Sequence, residues 1–131
     1  MAHSAGDRSS YLYAVLRVTP YVEREEFMNV GVLLYCRAQR FLGARTKLHR
    51  ERLCALAPKL DAVAVALIQA HLEQVPKTCR GEGPIGQLSQ PERFRWLAAP
   101  RSTMLQSSAI HSGLCRDPQA SLDHLFDMLV A

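Results

Sequence analysis

The chain has 131 residues, 48% of them hydrophobic and 21% charged, with a net charge of +4. That composition excludes a disordered chain. The length buries roughly two-thirds of the unfolded surface, so folding requires neither a disulfide nor a metal. No apolar run approaches the roughly 18 residues of a membrane span.

The opening MAHSAGDRSS is small and polar, without the apolar centre of a secretory signal. It reads as a flexible N-terminus over 1–10, ahead of a single domain over 11–131. Cysteines at 36, 54, 79 and 115 form no CxxC pair. They read as reduced thiols in a cytoplasm, with no metal and no cofactor.

Tyr11 to Thr19 (YLYAVLRVT) is rich in β-branched and aromatic residues and ends at Pro20, as a strand would. Phe27 to Cys36 (FMNVGVLLYC) is apolar on both faces, the mark of a central strand covered on both sides. Gly31 within it suits a bulge or a close backbone contact. Arg37 to Gln39 is a short polar connection, and Phe41 to Thr46 a third strand, so the second and third form a hairpin.

His49 to Leu56 predicts a short helix ended by Pro58. Leu60, Val63, Ala64, Leu67, Ile68, Leu72 and Val75 then make one helical stripe, with Pro76 as its stop. His71 falls on that stripe as a core histidine. Lys77 to Gln90 has no period and reads as a loop.

Ser89-Gln-Pro-Glu92 is a capping box that opens a short helix carrying Phe94, Trp96 and Leu97. Two short strands follow, with Gln106, Ser107 and Ser108 at the turn between them. Asp117-Pro118 then caps a last amphipathic helix with Leu122, Leu125, Phe126 and Leu129. The order predicts an α+β fold, a mostly antiparallel sheet of about five strands with helices packed on one face.

Candidate site residues concentrate late. Arg101 beside Ser102 and Thr103 suits an anion cradle of guanidinium, hydroxyls and backbone amides. Its alternative is a pair with Glu25 or Glu26. Gln106 interrupts a strand pattern. His111 could carry a proton near neutral pH, given a nucleophile within reach such as Ser102, Ser107 or Cys115, or be a strand histidine bonded to backbone. Cys115 is either activated by neighbouring positive charge or, the favoured reading, an inert buried thiol.

Asn29 sits in an apolar strand, where an unpartnered amide costs roughly 1–3 kcal/mol. It could bond the EREE loop or face the same pocket as His111. A basic stripe of Arg37, Arg40, Arg45, Lys47, Arg50 and Arg52 suits nucleic acid, a phosphate ligand or an acidic protein face. Its plainer reading is a charged strand edge and helix face.

YAVLRVTPYVEREEFMNVGVLLYC, FRWLAAPRSTMLQSSAIHSGLCRDP and the trailing helix resemble a family of small uncharacterised bacterial proteins, domain of unknown function 3037. The likeness runs from about Tyr11 to Val130, and Glu23 to Cys36 and Phe94 to Pro118 carry most of it. It implies no activity. It does imply a context, gene neighbourhood with kinases similar to HipA.

The sequence holds no GxxxxGK[ST], GxGxxG, GxSxG or HExxH, which leans against an enzyme. Three readings follow. The first is a cytoplasmic, non-catalytic interaction module whose partner is a HipA-like kinase. The second is a small anion- or phosphate-binding domain or enzyme around Arg101, Ser102, Thr103, Gln106, His111, Asn29 and Glu26. The third is a nucleic-acid binder through the basic stripe, which lacks the interleaved exposed aromatics that usually accompany single-strand binding.

Overall fold

The apolar run that opens the sequence pattern becomes the middle of the sheet. In the computed structural model, which describes residues 7–100 and 104–131, β1 (Ser9–Val18) pairs antiparallel with β2 (Met28–Cys36). β2 in turn pairs antiparallel with β3 (Phe41–Thr46) as the expected hairpin. The other side of β1 receives both late strands. β5 (His111–Cys115) lies along residues 9–13, and β4 (Leu105–Ser107) along residues 16–18. The early hairpin and the late polar strands therefore share one five-stranded antiparallel sheet. β1 begins earlier than the pattern suggested, because Ser9 is buried against the neighbouring elements.

The helices are α1 (Arg50–Leu56), α2 (Ala62–Cys79), α3 (Gln90–Ala98) and α4 (Pro118–Leu129). The class is α+β, as expected. The placement of the helices differs from the expectation of one covered face. Leu53, Ile68, Leu72, Val75, Phe94 and Leu97, from the first three helices, pack on Leu16, Leu33 and Tyr35. Leu122, Leu125 and Phe126 of α4 cover Val32, Leu34 and Cys36 on the opposite face. The cause lies in β2 itself. Leu33 and Leu34 are consecutive, point to opposite faces, and are both fully buried. One layer of helices could shelter only one of them.

Two irregularities re-aim side chains. In β2, Leu16 pairs with Gly31 but Arg17 pairs with Asn29, so Val30 is an extra, bulged residue. Its carbonyl accepts from Lys47 N–H at 2.8 Å. Beyond the bulge the alternation is reversed. Val30 joins the core under α2 and α3, and Asn29 turns toward α4. Gly31 permits this crowding, because a Cβ there would lie 2.9 Å from Thr46 Cγ2 and 3.0 Å from Arg45 O.

The second irregularity corrects the expected turn at Gln106, Ser107 and Ser108. β4 and β5 run in the same direction along one edge of β1, so no turn separates them. Three residues, Ser108 to Ile110, lie opposite two, Ala14 and Val15. Ser108 holds the gap closed. Its N–H donates to Val15 O at 2.8 Å, and its Oγ accepts from Val15 N–H at 2.9 Å while donating to Ala109 O at 2.7 Å. The hydroxyl takes the place of the ladder carbonyl that the bulge turns away.

Pro76 does not stop α2, which continues to Cys79. A proline inside a helix leaves the carbonyl of residue i−4 without its donor. Here that carbonyl belongs to Leu72, and Thr46 Oγ1 on β3 donates to it at 3.0 Å. The stripe is also rotated from the expected one. Ile68, Leu72, Val75 and Cys79 face the core, whereas Val63 and Leu67 are exposed. The extra turn carries Thr78 and Cys79 into the core and shortens the expected loop, which then turns through Gly81 and Gly83 at positive φ.

Both caps read from sequence are formed. Ser89 Oγ accepts from Glu92 N–H and donates to Glu92 Oε1 at 2.7 Å, and Asp117 Oδ1 accepts from Gln119 N–H at 3.0 Å.

Candidate functional site

Arg101, Ser102 and Thr103 lie outside the described residues. The remaining candidates divide into two places on the α4 side of the sheet. Arg17 on β1 pairs in register with Asn29 on one side and with Gln106 on the other. Directly opposed residues share a face, so Asn29, Arg17 and Gln106 form a row across three strands. His111 pairs with Tyr13, four positions along β1 from Arg17. At the usual strand rise that is about 13 Å away.

Arg17 is the centre of the row. Its guanidinium carbon sits 4.2 Å over the ring of Phe27, a cation–π contact. Phe27 is 48% exposed, so this pair borders solvent. Arg17 Nε is buried and has no hydrogen-bond partner among the described residues. Asn29 presents the complementary defect. Its Nδ2 donates to Leu129 O near the end of α4 at 3.1 Å, which fixes the amide. Its Oδ1 is buried without a donor among the described residues. Asn29 thus bonds α4, which is neither of the arrangements expected for it. Among the described residues, a buried charged donor and a buried acceptor, each without a hydrogen-bond partner, thus stand on directly opposed residues.

Glu26 does not supply the missing acceptor. Its Oε1 lies 2.6 Å from Arg24 Nε as an ion pair, after a single 3-10 turn over Val22–Arg24 and a left-handed Glu25 at φ 55°, and among the described residues that oxygen too is buried without a hydrogen-bond partner.

His111 is exposed, and its ring packs on Tyr13 with centroids 5.3 Å apart. Ser107 faces Leu16 in register, away from it along the edge. Cys115 is buried beneath α4, and its thiol pKa is raised, first by burial and then by neighbouring Cys36. Cys115 is thus buried, as its favoured reading expected, and a raised pKa disfavours the nucleophilic thiolate. Burial likewise pushes the Cys79 thiol up to about 12, against the opposing pull of Arg93 and Arg80.

Among the described residues no group of three or more His, Cys, Asp or Glu side chains could hold a metal ion. No helix among them is long and apolar enough to cross a membrane. Arg17 and Gln106, together with His71, Leu72, Val75 and Leu97, border a small cavity of about 20 Å3, room for about one water.

The basic residues follow one edge of the sheet. Arg37 and Arg40 flank the turn between β2 and β3, where Arg40 adopts φ 51°. Arg45 lies on β3, 3.1 Å from Asp123 and with its guanidinium 4.2 Å over the Phe126 ring. Lys47 follows β3, and Arg50 and Arg52 are exposed on α1.

Sequence reasoning named Asn29, Gln106 and Glu26 but not Arg17. The signal was present. Arg17 is the one charged residue within YLYAVLRVT, between Leu16 and Val18, both buried. An arginine there must either reach solvent or find a partner.

No curated protein and no solved structure matches the chain. A family model does, across residues 13–130, which takes in Arg17, Asn29, Gln106 and His111 alike. The chain belongs to the family described as protein of unknown function (DUF3037).

Proposed function

We propose that the protein is a non-catalytic binding module that recognises an oxyanion, a carboxylate or phosphate group, at Arg17. One observation carries this reading. The guanidinium is packed on a half-exposed aromatic ring, and among the described residues its buried Nε has no acceptor and the adjacent Asn29 Oδ1 no donor. Each orphaned buried group costs roughly 1–3 kcal/mol, more when charged. Buried polar groups in native proteins almost always have a partner, from the protein, ordered water or a bound ion, and an oxyanion is the proposed partner. A ligand oxygen would accept from Arg17, and a hydroxyl or N–H on the same ligand would donate to Asn29.

The binding reading is favoured over an enzyme because the groups suited to proton transfer are placed elsewhere. His111 lies four strand positions from Arg17 with its ring tilted against a tyrosine, and burial raises the Cys115 thiol pKa. The family context makes a HipA-like kinase in a bacterial cytoplasm the proposed partner.

Two measurements test this. Titration of the isotope-labelled full chain with inorganic phosphate, and separately with acetate, is expected to move the Arg17 Nε–H and Asn29 side-chain amide resonances together. Arg17→Lys is expected to weaken binding, because an ammonium keeps the charge without the planar fork. No response at either side chain would overturn the site. Copurification from the native host after mild crosslinking is expected to recover the kinase with the wild-type chain and less of it with Arg17→Gln. Recovery of the chain alone would overturn the partner while leaving the anion site to the first measurement.

A further inference from the structure

The opposite face of the sheet carries an independent feature. On the side covered by α1, α2 and α3, the cover stops short of β5. α3 lies over β2, with Phe94 stacked on Tyr35 at 5.5 Å. Beyond it Leu12 is 40% exposed and Leu114 60%. Ile110, in the bulge just before β5, is 50% exposed.

Between α3 and this end of the sheet runs an open groove of about 530 Å3, bordered by Ser10, Leu12, Tyr35, Arg37, Arg95 and Ser112. Two of its lining residues are cationic and none is acidic. Beside the groove lies the outer edge of β5, which among the described residues pairs only with β1. Its sequence, HSGLC, holds no lysine, arginine, acid or proline. Those are the residues with which natural proteins usually blunt an exposed strand edge.

We propose that the outer edge of β5 receives an extended segment of a partner protein as an added strand. Backbone hydrogen bonds would supply register and much of the affinity, as in other strand-addition complexes. Alternate apolar side chains of the segment would lie over Leu114 and Leu12. Acidic residues at the end nearer the groove would face Arg37 and Arg95. The occupant is thus an extended, apolar-alternating segment with an acidic flank. This inference stands apart from the reading of Arg17, which lies on the other face of the sheet.

The test uses the isotope-labelled full chain and a synthetic peptide of alternating valine and threonine that ends in aspartates. The peptide is expected to shift the amides of residues 111–115 and slow their hydrogen exchange, leaving β3 unaffected. Combined Arg37→Glu and Arg95→Glu is expected to weaken binding about five-fold, as two exposed ion pairs would. The same double variant is expected to bind a lysine-ended version of the peptide in preference. Leu114→Glu, at an exposed position, is expected to abolish binding with the fold intact. Equal binding of both peptides by the wild type, or shifts confined to β3, would overturn the proposal. Concentration-dependent self-association through β5 in sedimentation would overturn it too, in favour of a second copy as occupant. Arg17→Lys should leave all these readings unchanged.

Discussion

The two edges of the sheet are built differently. β3 pairs without interruption along β2 and is tied to a helix on each face. Thr46 reaches α2 through the Leu72 carbonyl, and Arg45 reaches α4 through Asp123 and the Phe126 ring. It also carries the guarding charge. The other edge is two short strands with an unpaired step between them, closed by one serine and bare of charge along β5. The comparison teaches that a sheet edge is secured by what crosses it. β3 is held by side chains of neighbouring layers, and the middle of β4–β5 by the hydrogen bonds of Ser108 to Val15 of β1.

The largest expected effect follows from cutting that middle contact. Ser108→Ala strands the Val15 N–H in the interior and is expected to lower stability by about 2 kcal/mol in urea unfolding. Amide exchange should accelerate on both sides of the bulge and leave β3 unchanged. Simultaneous opening of β3 would show that the two edges form one cooperative unit.

A smaller loss, about 1 kcal/mol, is expected for Thr46→Val, which removes the donor to Leu72 O. In a Pro76→Ala background the new Ala N–H can satisfy that carbonyl, so the same change should cost much less. A double-mutant cycle measures the coupling. Additive effects would mean that the hydroxyl does not compensate the proline.

The smallest effect is expected for Asp123→Asn. Its ion pair with Arg45 is solvent-exposed, so the loss should stay below about 0.5 kcal/mol and shrink further in salt. A loss as large as that of Thr46→Val would mean that charge, rather than the layer contact, fastens the β3 edge.

Much of this architecture was legible locally. The double-faced burial of β2 was written in MNVGVLLYC, and the Ser89 and Asp117 caps in the few residues that follow each. The errors share a different cause. Pro76 reads as a stop because the hydroxyl that compensates it lies on β3, 26 residues from the Leu72 carbonyl it serves. Ser108 was read as a turn residue because its bonds are to Val15, 93 residues distant. Asn29 stands out in the sequence as a polar group in an apolar strand, and Gln106 as one beside Leu105. Their meeting point at Arg17 required the β1 register, including the bulge at Val30 that turns Asn29 to the same face. Periodicity encodes which side of an element is apolar. It does not encode which distant group completes a hydrogen bond.

The accommodation of Pro76 bears on the order in which the chain assembles. The earlier turns of α2 can close their backbone bonds locally, starting from the Asp61 cap on Ala64 N–H. The turn over Leu72 and Pro76 has no such autonomy, because its stray carbonyl waits for a donor on another element. The last stretch of this helix should therefore mature only after the β2–β3 hairpin has docked, which makes that turn of α2 a late reporter of sheet formation.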